Sequence, residues 1–258
     1  MKSLAIFNNK GGVGKTTLIY HLAHSLADLG HSVLMFDLDP QSNLSLFGLA
    51  EEKLHSIWEA EDSFIDDYRI AKENTSPLLF DELLNSPRSS HFLFKPVEDG
   101  ADEPARLPPP HKITDKLGLI PGRLTLHRYE DKIASRWSEA FTGDPLAIRT
   151  ISNIRQKSIQ YAETHGYDYI LIDTSPSLGI LNKIIISTCD AFMIPCMPDM
   201  FSLYGVKNIG ASLTKWNKEF ETMYNLLSDT KRRPLPSKRV SFVGYTIYNA
   251  KKYNQQSN

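Results

Sequence analysis

The sequence has little of what disulfide scaffolds and membrane spans require. Its 258 residues include only two cysteines, Cys189 and Cys196, which are too few for a disulfide framework and are expected to be buried core thiols. It contains no run of 18 apolar residues and no charged-then-apolar leader. The histidines show no spacing typical of a structural zinc site. These absences favour a cytoplasmic protein whose stability comes from an ordinary apolar core.

The chain also lacks a strong charge of either sign. Its formal net charge is -1, so any binding to nucleic acid must depend on a local basic patch. With 41% hydrophobic residues, 258 residues can bury the core of one large α/β domain. We therefore expect a single domain over residues 1–258.

Apolar segments alternate with amphipathic ones along most of the sequence. Gly30 is placed to end the first helix, since glycine readily adopts the left-handed backbone found there. The pattern predicts helices at 15–30, 50–85, 145–164 and 203–227, and strands at 3–9, 31–40, 116–122, 167–177, 190–198 and 239–249. Such alternation predicts a doubly wound, mostly parallel sheet flanked by helices, with a ligand at the carboxyl edge of the strands.

Residues 50–115 interrupt this regular pattern. The segment 86–112 is rich in proline and charge, which predicts a long surface loop. We interpret residues 50–115 as an irregular insertion that carries no motif and offers a place for a partner-specific surface.

The stretch NNKGGVGKTT at residues 8–17 indicates a phosphate-binding loop. It fits the Walker A spacing only with Asn9 in place of the first glycine. Glycines in such a loop let backbone N–H groups turn toward phosphate oxygens, and the following helix adds its positive end. Lys15 is expected to reach the β and γ phosphates, and Thr16 to offer its hydroxyl to Mg²⁺. The predicted nucleotide-binding residues of this loop are Gly11, Gly12, Val13, Gly14, Lys15, Thr16 and Thr17.

Three aspartates end the predicted strands that lie nearest the loop. Asp37 and Asp39 close the second strand, and strand alternation alone leaves open which of them faces the site. Asp173 follows the apolar run YILI and matches the Walker B position, where a carboxylate holds Mg²⁺ directly or through water.

These motifs together resemble a known family. The patterns K-G-G-x-G-K-T at 10–16, D-L-D-P-Q at 37–41 and apolar-D-T-x-P at 170–176 resemble the deviant Walker A ATPases of the ParA/MinD group, and most closely the small chromosomal, Soj-like ParA proteins. The resemblance implies ATP and Mg²⁺ as cofactors, hydrolysis of ATP to ADP and phosphate, and a homodimer in the ATP state. It also implies that Lys10 reaches across the dimer to the phosphates of the other subunit's ATP, which would explain the loop's second lysine.

The resemblance assigns further residues to the site. Asp39 is implied to orient the attacking water, and Asp37 to contribute to Mg²⁺ binding or to loop geometry. The residues around Thr174 are implied to form a switch that senses the γ-phosphate. Pro198 is implied to border the adenine, and Asn249 to contact the base or the edge of its ring.

The implied partners are DNA and a second protein. The segment KRRPLPSKR at 231–239, with Lys251 and Lys252, forms a basic cluster that could bind DNA phosphates without reading sequence. A solvated proline-rich loop explains 231–239 equally well. The resemblance also implies a partner protein that stimulates the ATPase, and association with the nucleoid if DNA is bound.

Other functions of related ATPases stay open. A MinD-like membrane-associated ATPase needs a terminal amphipathic helix, which KKYNQQSN at the end of the sequence does not provide. An ATP-dependent biosynthetic enzyme needs a substrate pocket, for which only residues 50–115 are unassigned. Members of the resembled family continue with another helix, strand and terminal helix, so we expect either a truncated form or a disordered tail that the sequence leaves out.

Overall fold

The computed structural model describes residues 1–247, except for the side chains of residues 201–203. Seven strands form one sheet in the order β3-β4-β2-β5-β1-β6-β7. All neighbouring strands are parallel except β3, which runs antiparallel to β4 at one edge. The strands are β1 (Lys2–Ile6), β2 (Val33–Leu38), β3 (His111–Thr114), β4 (Leu117–Ile120), β5 (Tyr169–Thr174), β6 (Ala191–Cys196) and β7 (Ser241–Ile247).

Helices connect the strands and cover both faces of the sheet. The described helices are α1 (Lys15–Asp28), α2 (Asn43–Gly48), α3 (Glu51–Asp66), α4 (Tyr68–Asn74), α5 (Pro77–Leu83), α6 (Ser90–Glu98), α7 (His127–Ala140), α8 (Pro145–His165), α9 (Ile180–Thr188), α10 (Met200–Leu226) and α11 (Asp229–Arg232). None of them is both long and apolar enough to cross a lipid bilayer.

Strand β2 shows why the sheet is covered on both sides. All six of its residues are buried, and alternate side chains point to opposite faces of a strand. Met35 packs in one hydrophobic cluster with Ile19 of α1, whereas Phe36 packs in a second cluster against Phe94 of α6, with ring centroids 5.9 Å apart. A parallel strand buried on both faces belongs to a doubly wound sheet, so the predicted fold class is confirmed.

The predicted helix boundaries follow local capping chemistry. Gly30 has a φ of 97° directly after α1, as expected for a glycine that ends a helix. Asp144 caps α8 by accepting a hydrogen bond of 2.8 Å from Ala147 N, and Pro145 follows at the first helical position. Both cysteines are buried and free, as predicted. The prediction of one domain over residues 1–258 stays a prediction.

The interpretation of residues 86–112 as a surface loop was wrong in part. Residues 90–98 form α6, in which every residue is buried, including Pro96 inside the helix. Phe94 of this helix stacks on Tyr129 of α7 with ring centroids 4.9 Å apart. The prolines and charges that dominate the composition flank a short apolar group, and burial of that group against α7 and α8 outweighs the average polarity of the segment. Residues 50–115 thus contain four helices and the edge strand β3. The expectation that this segment is irregular was therefore wrong.

Candidate functional site

The loop between β1 and α1 has an open, glycine-dependent backbone. Gly12 and Gly14 have φ values of 72° and 82°, a left-handed conformation that side-chain-bearing residues rarely adopt. No atom lies within 4 Å of the position that a Cβ would take at Gly11 or Gly12. Helix α1 begins at Lys15 without a side-chain cap, so its first N–H groups offer a site for an anion.

Asn8 fixes the start of this loop against β6. Its Nδ2 donates to the Pro195 carbonyl at 2.7 Å, and its Oδ1 accepts from the backbone N of Lys10 at 2.9 Å. Asn8 belongs to the motif at residues 8–17, but the spacing of that motif indicates no role for it. Because its partner on β6 is 187 residues away in the sequence, no local pattern indicates this contact.

Lys15 points its ammonium across the loop. The side chain is buried, and Nζ donates to the Lys10 carbonyl at 3.2 Å. Burial lowers the pKa of Lys15, and the nearby carboxylates of Asp173 and Asp39 partly offset that effect by favouring the charged form. A cation that is held in the loop with incomplete solvation is suited to bind phosphate oxygens.

Thr16 and Asp173 meet at the end of the sheet. Thr16 Oγ1 donates to Asp173 Oδ2 at 2.9 Å, and Asp173 is fully buried. Burial raises the pKa of Asp173 well above the ordinary carboxyl range, and the charge of Asp37 raises it further. A divalent cation would favour the ionised form of this carboxylate, and hydroxyl and carboxylate oxygens are the ligands that Mg²⁺ prefers. The predicted metal residues Thr16 and Asp173 are therefore brought together and fit Mg²⁺.

The described residues contain no group of three or more His, Cys, Asp or Glu side chains arranged to hold a metal ion. A Mg²⁺ ion at Thr16 and Asp173 would complete its coordination with water and phosphate oxygens. This is the usual arrangement for Mg²⁺ at nucleotides, because the ion dehydrates reluctantly and takes few protein ligands.

Asp37 is occupied by contacts within the protein. It is fully buried and accepts hydrogen bonds from Ser45 N at 2.8 Å, Ser45 Oγ at 2.6 Å and Asp39 N at 3.2 Å. Ser45 Oγ in turn accepts from Gly122 N at 2.7 Å. Burial raises the pKa of Asp37, while the bonds from Ser45 oppose that rise. Of the two roles considered for Asp37, these contacts favour loop geometry over direct binding of Mg²⁺.

Asp39 lies just beyond β2, at the same carboxyl edge of the sheet as the loop that leads to Lys15. It is buried, and its Oδ1 accepts from Gln41 N at 3.0 Å. The turn that follows contains Ser42, whose φ of 54° is the only positive value at a non-glycine residue in the described part of the chain. Asp39 is close enough to Lys15 and Asp173 to influence their pKa values, so the structure gathers it into the same site.

Lys10 lies at the rim of the site. Its Nζ is 2.6 Å from Asp199 Oδ2, and the two side chains are 29% and 34% exposed. Pro198 precedes Asp199 and is exposed, and Asn249 lies outside the described residues. The sequence alone does not indicate Asp199, because an ion pair between residues 189 positions apart has no local signature.

The fold and this loop define the class of the protein: it is a P-loop nucleotide-binding protein of the deviant Walker A type. The sequence profile of the CobQ/CobB/MinD/ParA nucleotide binding domain matches residues 4–257, and the chain belongs to this family. The resemblance stated from the motifs alone is confirmed.

Two relatives each match about four fifths of the chain. It is 34% identical over 209 residues to an uncharacterized protein of Methanocaldococcus jannaschii, covering 80% of this chain and 63% of that protein. It is 27% identical over 209 residues to the sporulation initiation inhibitor protein Soj of Bacillus subtilis, covering 81% of this chain and 63% of Soj. The matches thus span less than two thirds of these relatives.

Solved structures share the fold. A protein from Corynebacterium diphtheriae superposes with a TM-score of 0.77 at 27% identity, covering 96% of this chain and 82% of that one. Cobyrinic acid a,c-diamide synthase from Mycobacterium smegmatis, with bound ADP and magnesium, superposes with a TM-score of 0.55 at 20% identity, covering 96% of this chain and 74% of that one.

Proposed function

We propose that the chain is a ParA-type switch that binds ATP with Mg²⁺, dimerises in that state and hydrolyses ATP to ADP and phosphate. The observation that carries the proposal is the placement of Lys15, Thr16, Asp39 and Asp173 around one glycine-rich loop, with Lys10 at its rim. The bound ADP and magnesium of the M. smegmatis synthase support the same two ligands for this chain.

The residues of the site divide the chemistry among them. The N–H groups of the loop and Lys15 bind the phosphates and neutralise charge in the transition state. Thr16 and Asp173 would hold Mg²⁺, which would supply further neutralisation of the phosphate charge. Asp39 orients the attacking water, and Asp37 holds the loop that carries Asp39 through its bond to Asp39 N.

A dimer would cover the rim of the site. Large apolar side chains are exposed to water on the loops and helix ends that follow the strands, and a second subunit packed there would bury them. They are Leu124 at 52%, Leu178 at 39%, Met200 at 70% and Tyr204 at 60% exposed. Lys10 belongs to the same rim, so a second subunit seated there would bring its nucleotide toward Lys10. In the ATP dimer, Lys10 leaves Asp199 and contacts the partner's phosphates.

Non-specific DNA and a stimulating protein are the further partners that we propose. The basic segment 231–239 is largely exposed, but Arg232 pairs with Asp229 and Arg239 pairs with Glu221. These pairs weaken the positive patch, and Lys251 and Lys252 lie outside the described residues. The resemblance to ParA proteins and the membership of their family therefore support DNA binding, and with it a nucleoid location, more than the patch does.

The experiment that tests the proposal is phosphate release from ATP by the purified chain, with Mg²⁺ and with EDTA. Hydrolysis is expected to require Mg²⁺ and to be lost in Lys15→Ala. Lys112→Ala is the matched control, because Lys112 is 70% exposed and forms its ion pair with Asp115 at the far edge strand β3. Absence of hydrolysis by the unmodified chain, with DNA and without it, would contradict an ATPase function.

A further inference from the structure

Asn182 joins the first turn of α9 to the loop that follows β5. The residue is fully buried. Its Nδ2 lies 2.8 Å from the Ser175 carbonyl and 2.9 Å from the Ser177 carbonyl. The hydroxyls of both serines also lie 3.1 Å from Nδ2. One amide group therefore donates to both ends of the three-residue loop 175–177.

The orientation of this amide is determined by its surroundings. Asn182 Oδ1 is buried and has no hydrogen-bond partner among the described residues. The opposite orientation would place a carbonyl oxygen against two backbone carbonyls, which repel it. Asn182 therefore donates to the loop while its own buried oxygen stays unsatisfied. The desolvation cost of such an oxygen is tolerated only where other contacts of the residue offset it.

The segments on both sides of the loop are anchored independently of Asn182. On one side, Thr174 Oγ1 donates to the Ile6 carbonyl at 2.7 Å, one residue after Asp173. On the other side, Leu181 N donates to Glu130 Oε1 of α7 at 3.2 Å. Lys183 forms an ion pair with Glu219 and lies 3.6 Å from the centre of the Trp137 ring. Loop 175–177 is therefore a short span between two fixed points. It has internal bonds between Ser175 and Ser177, and Asn182 links it to α9.

We propose that Asn182 is a positioning residue for ATP hydrolysis, because it holds loop 175–177, which begins two residues after the proposed Mg²⁺ ligand Asp173. The inference rests on the proposed ATPase function. Asn182 does not touch the nucleotide and acts through the backbone of the loop. Loss of its two donated bonds displaces groups near the reacting phosphate but leaves the contacts to the α and β phosphates, which come from residues 11–16, in place.

The test compares Asn182→Asp and Asn182→Ala with the unmodified chain. Asp keeps the shape and sets a carboxylate oxygen against the loop carbonyls, whereas Ala removes the donor. In both variants kcat for ATP is expected to fall by between about tenfold and a hundredfold. The affinity for ADP with Mg²⁺, which has no γ-phosphate, is expected to change by less than about threefold, the effect of roughly 0.7 kcal/mol. A matched control is Asn153→Ala, since Asn153 is also a buried asparagine but lies on α8, outside the loop and α9.

Hydrogen–deuterium exchange of the nucleotide-free chain supplies a readout that does not depend on activity. Faster exchange in residues 175–181 is expected for both Asn182 variants and not for Asn153→Ala. An unmodified chain that hydrolyses ATP, together with Asn182 variants of unchanged kcat, overturns the positioning role. Unchanged exchange in residues 175–181 overturns it as well. A chain that hydrolyses no ATP contradicts the proposed function instead, and exchange then still decides whether Asn182 holds the loop.

Discussion

Asp37 and Asp173 are direct neighbours on the parallel strands β2 and β5, and both carboxyl groups are buried. Ionising both groups in a site of low polarity costs free energy, because the two negative charges are desolvated and repel each other. Asp37 is satisfied by Ser45 and Asp39 N, whereas Asp173 faces Thr16. The pair therefore divides into a structural carboxylate and one suited to a metal ion.

The buried carboxylates predict how stability depends on pH in the absence of nucleotide. The folded-state pKa of Asp173 is raised, so the folded chain binds more protons than the unfolded chain above pH about 4, the ordinary carboxyl pKa. The free energy of unfolding should consequently fall as pH rises from about 4 through neutrality. Asp173→Asn removes this titration, and urea unfolding at several pH values should give a shallower fall for the variant. An equally steep fall in the variant would contradict the raised pKa.

Replacing Gly122 should destabilise the fold near the site. A Cβ at this position would lie 2.8 Å from Ser42 Oγ and 2.9 Å from Asp37 Cγ, so Gly122→Ala forces these groups apart at a cost of about 1–3 kcal/mol. The matched control is Gly210→Ala on α10, where no atom lies within 4 Å of the new Cβ and helix propensity favours alanine. Urea denaturation measures both changes, and equal stability of the two variants would show that the contact at Gly122 relaxes freely.

Asp39→Ala should separate nucleotide binding from hydrolysis. Without the carboxylate that orients water, hydrolysis should fall by at least about a hundredfold, while ATP stays bound and the dimer accumulates. Phosphate release and solution mass with ATP and Mg²⁺ measure the two effects. Asp28→Ala is a suitable control, since Asp28 lies at the far end of α1. Hydrolysis by Asp39→Ala at the unmodified rate would refute the assigned role.

DNA binding, if it depends on phosphate contacts, should be sensitive to salt. The logarithm of the association constant of the ATP-bound chain for duplex DNA should fall linearly with the logarithm of salt concentration. Replacing Lys231 and Arg233 by alanine should reduce that slope and weaken binding equally for unrelated sequences. Fluorescence anisotropy at several salt concentrations provides the measurement. Binding that is absent, or that does not respond to salt, would remove DNA from the proposed partners.

The parts of the site that the sequence predicts are those encoded by short patterns. The glycine-rich loop and Asp173 are predictable from the sequence, because each comes directly after an apolar run that predicts a strand. Helix α6 was missed because its apolar residues are few and flanked by prolines and charges. The ion pair of Lys10 with Asp199 joins positions 189 residues apart, and only the folded sheet brings them together. The contact between Asn182 and loop 175–177 is local, but its direction depends on where α7 and α10 hold α9.

The central claim is that Lys10 of one subunit contacts the triphosphate bound by another, and the solution mass with ATP and Mg²⁺ against ADP and Mg²⁺ tests it most directly. The account predicts a dimer with ATP only, with Lys10→Ala monomeric in both states and Lys112→Ala behaving like the unmodified chain. A dimer that forms equally with ADP, or one that Lys10→Ala forms as readily with ATP, would contradict it.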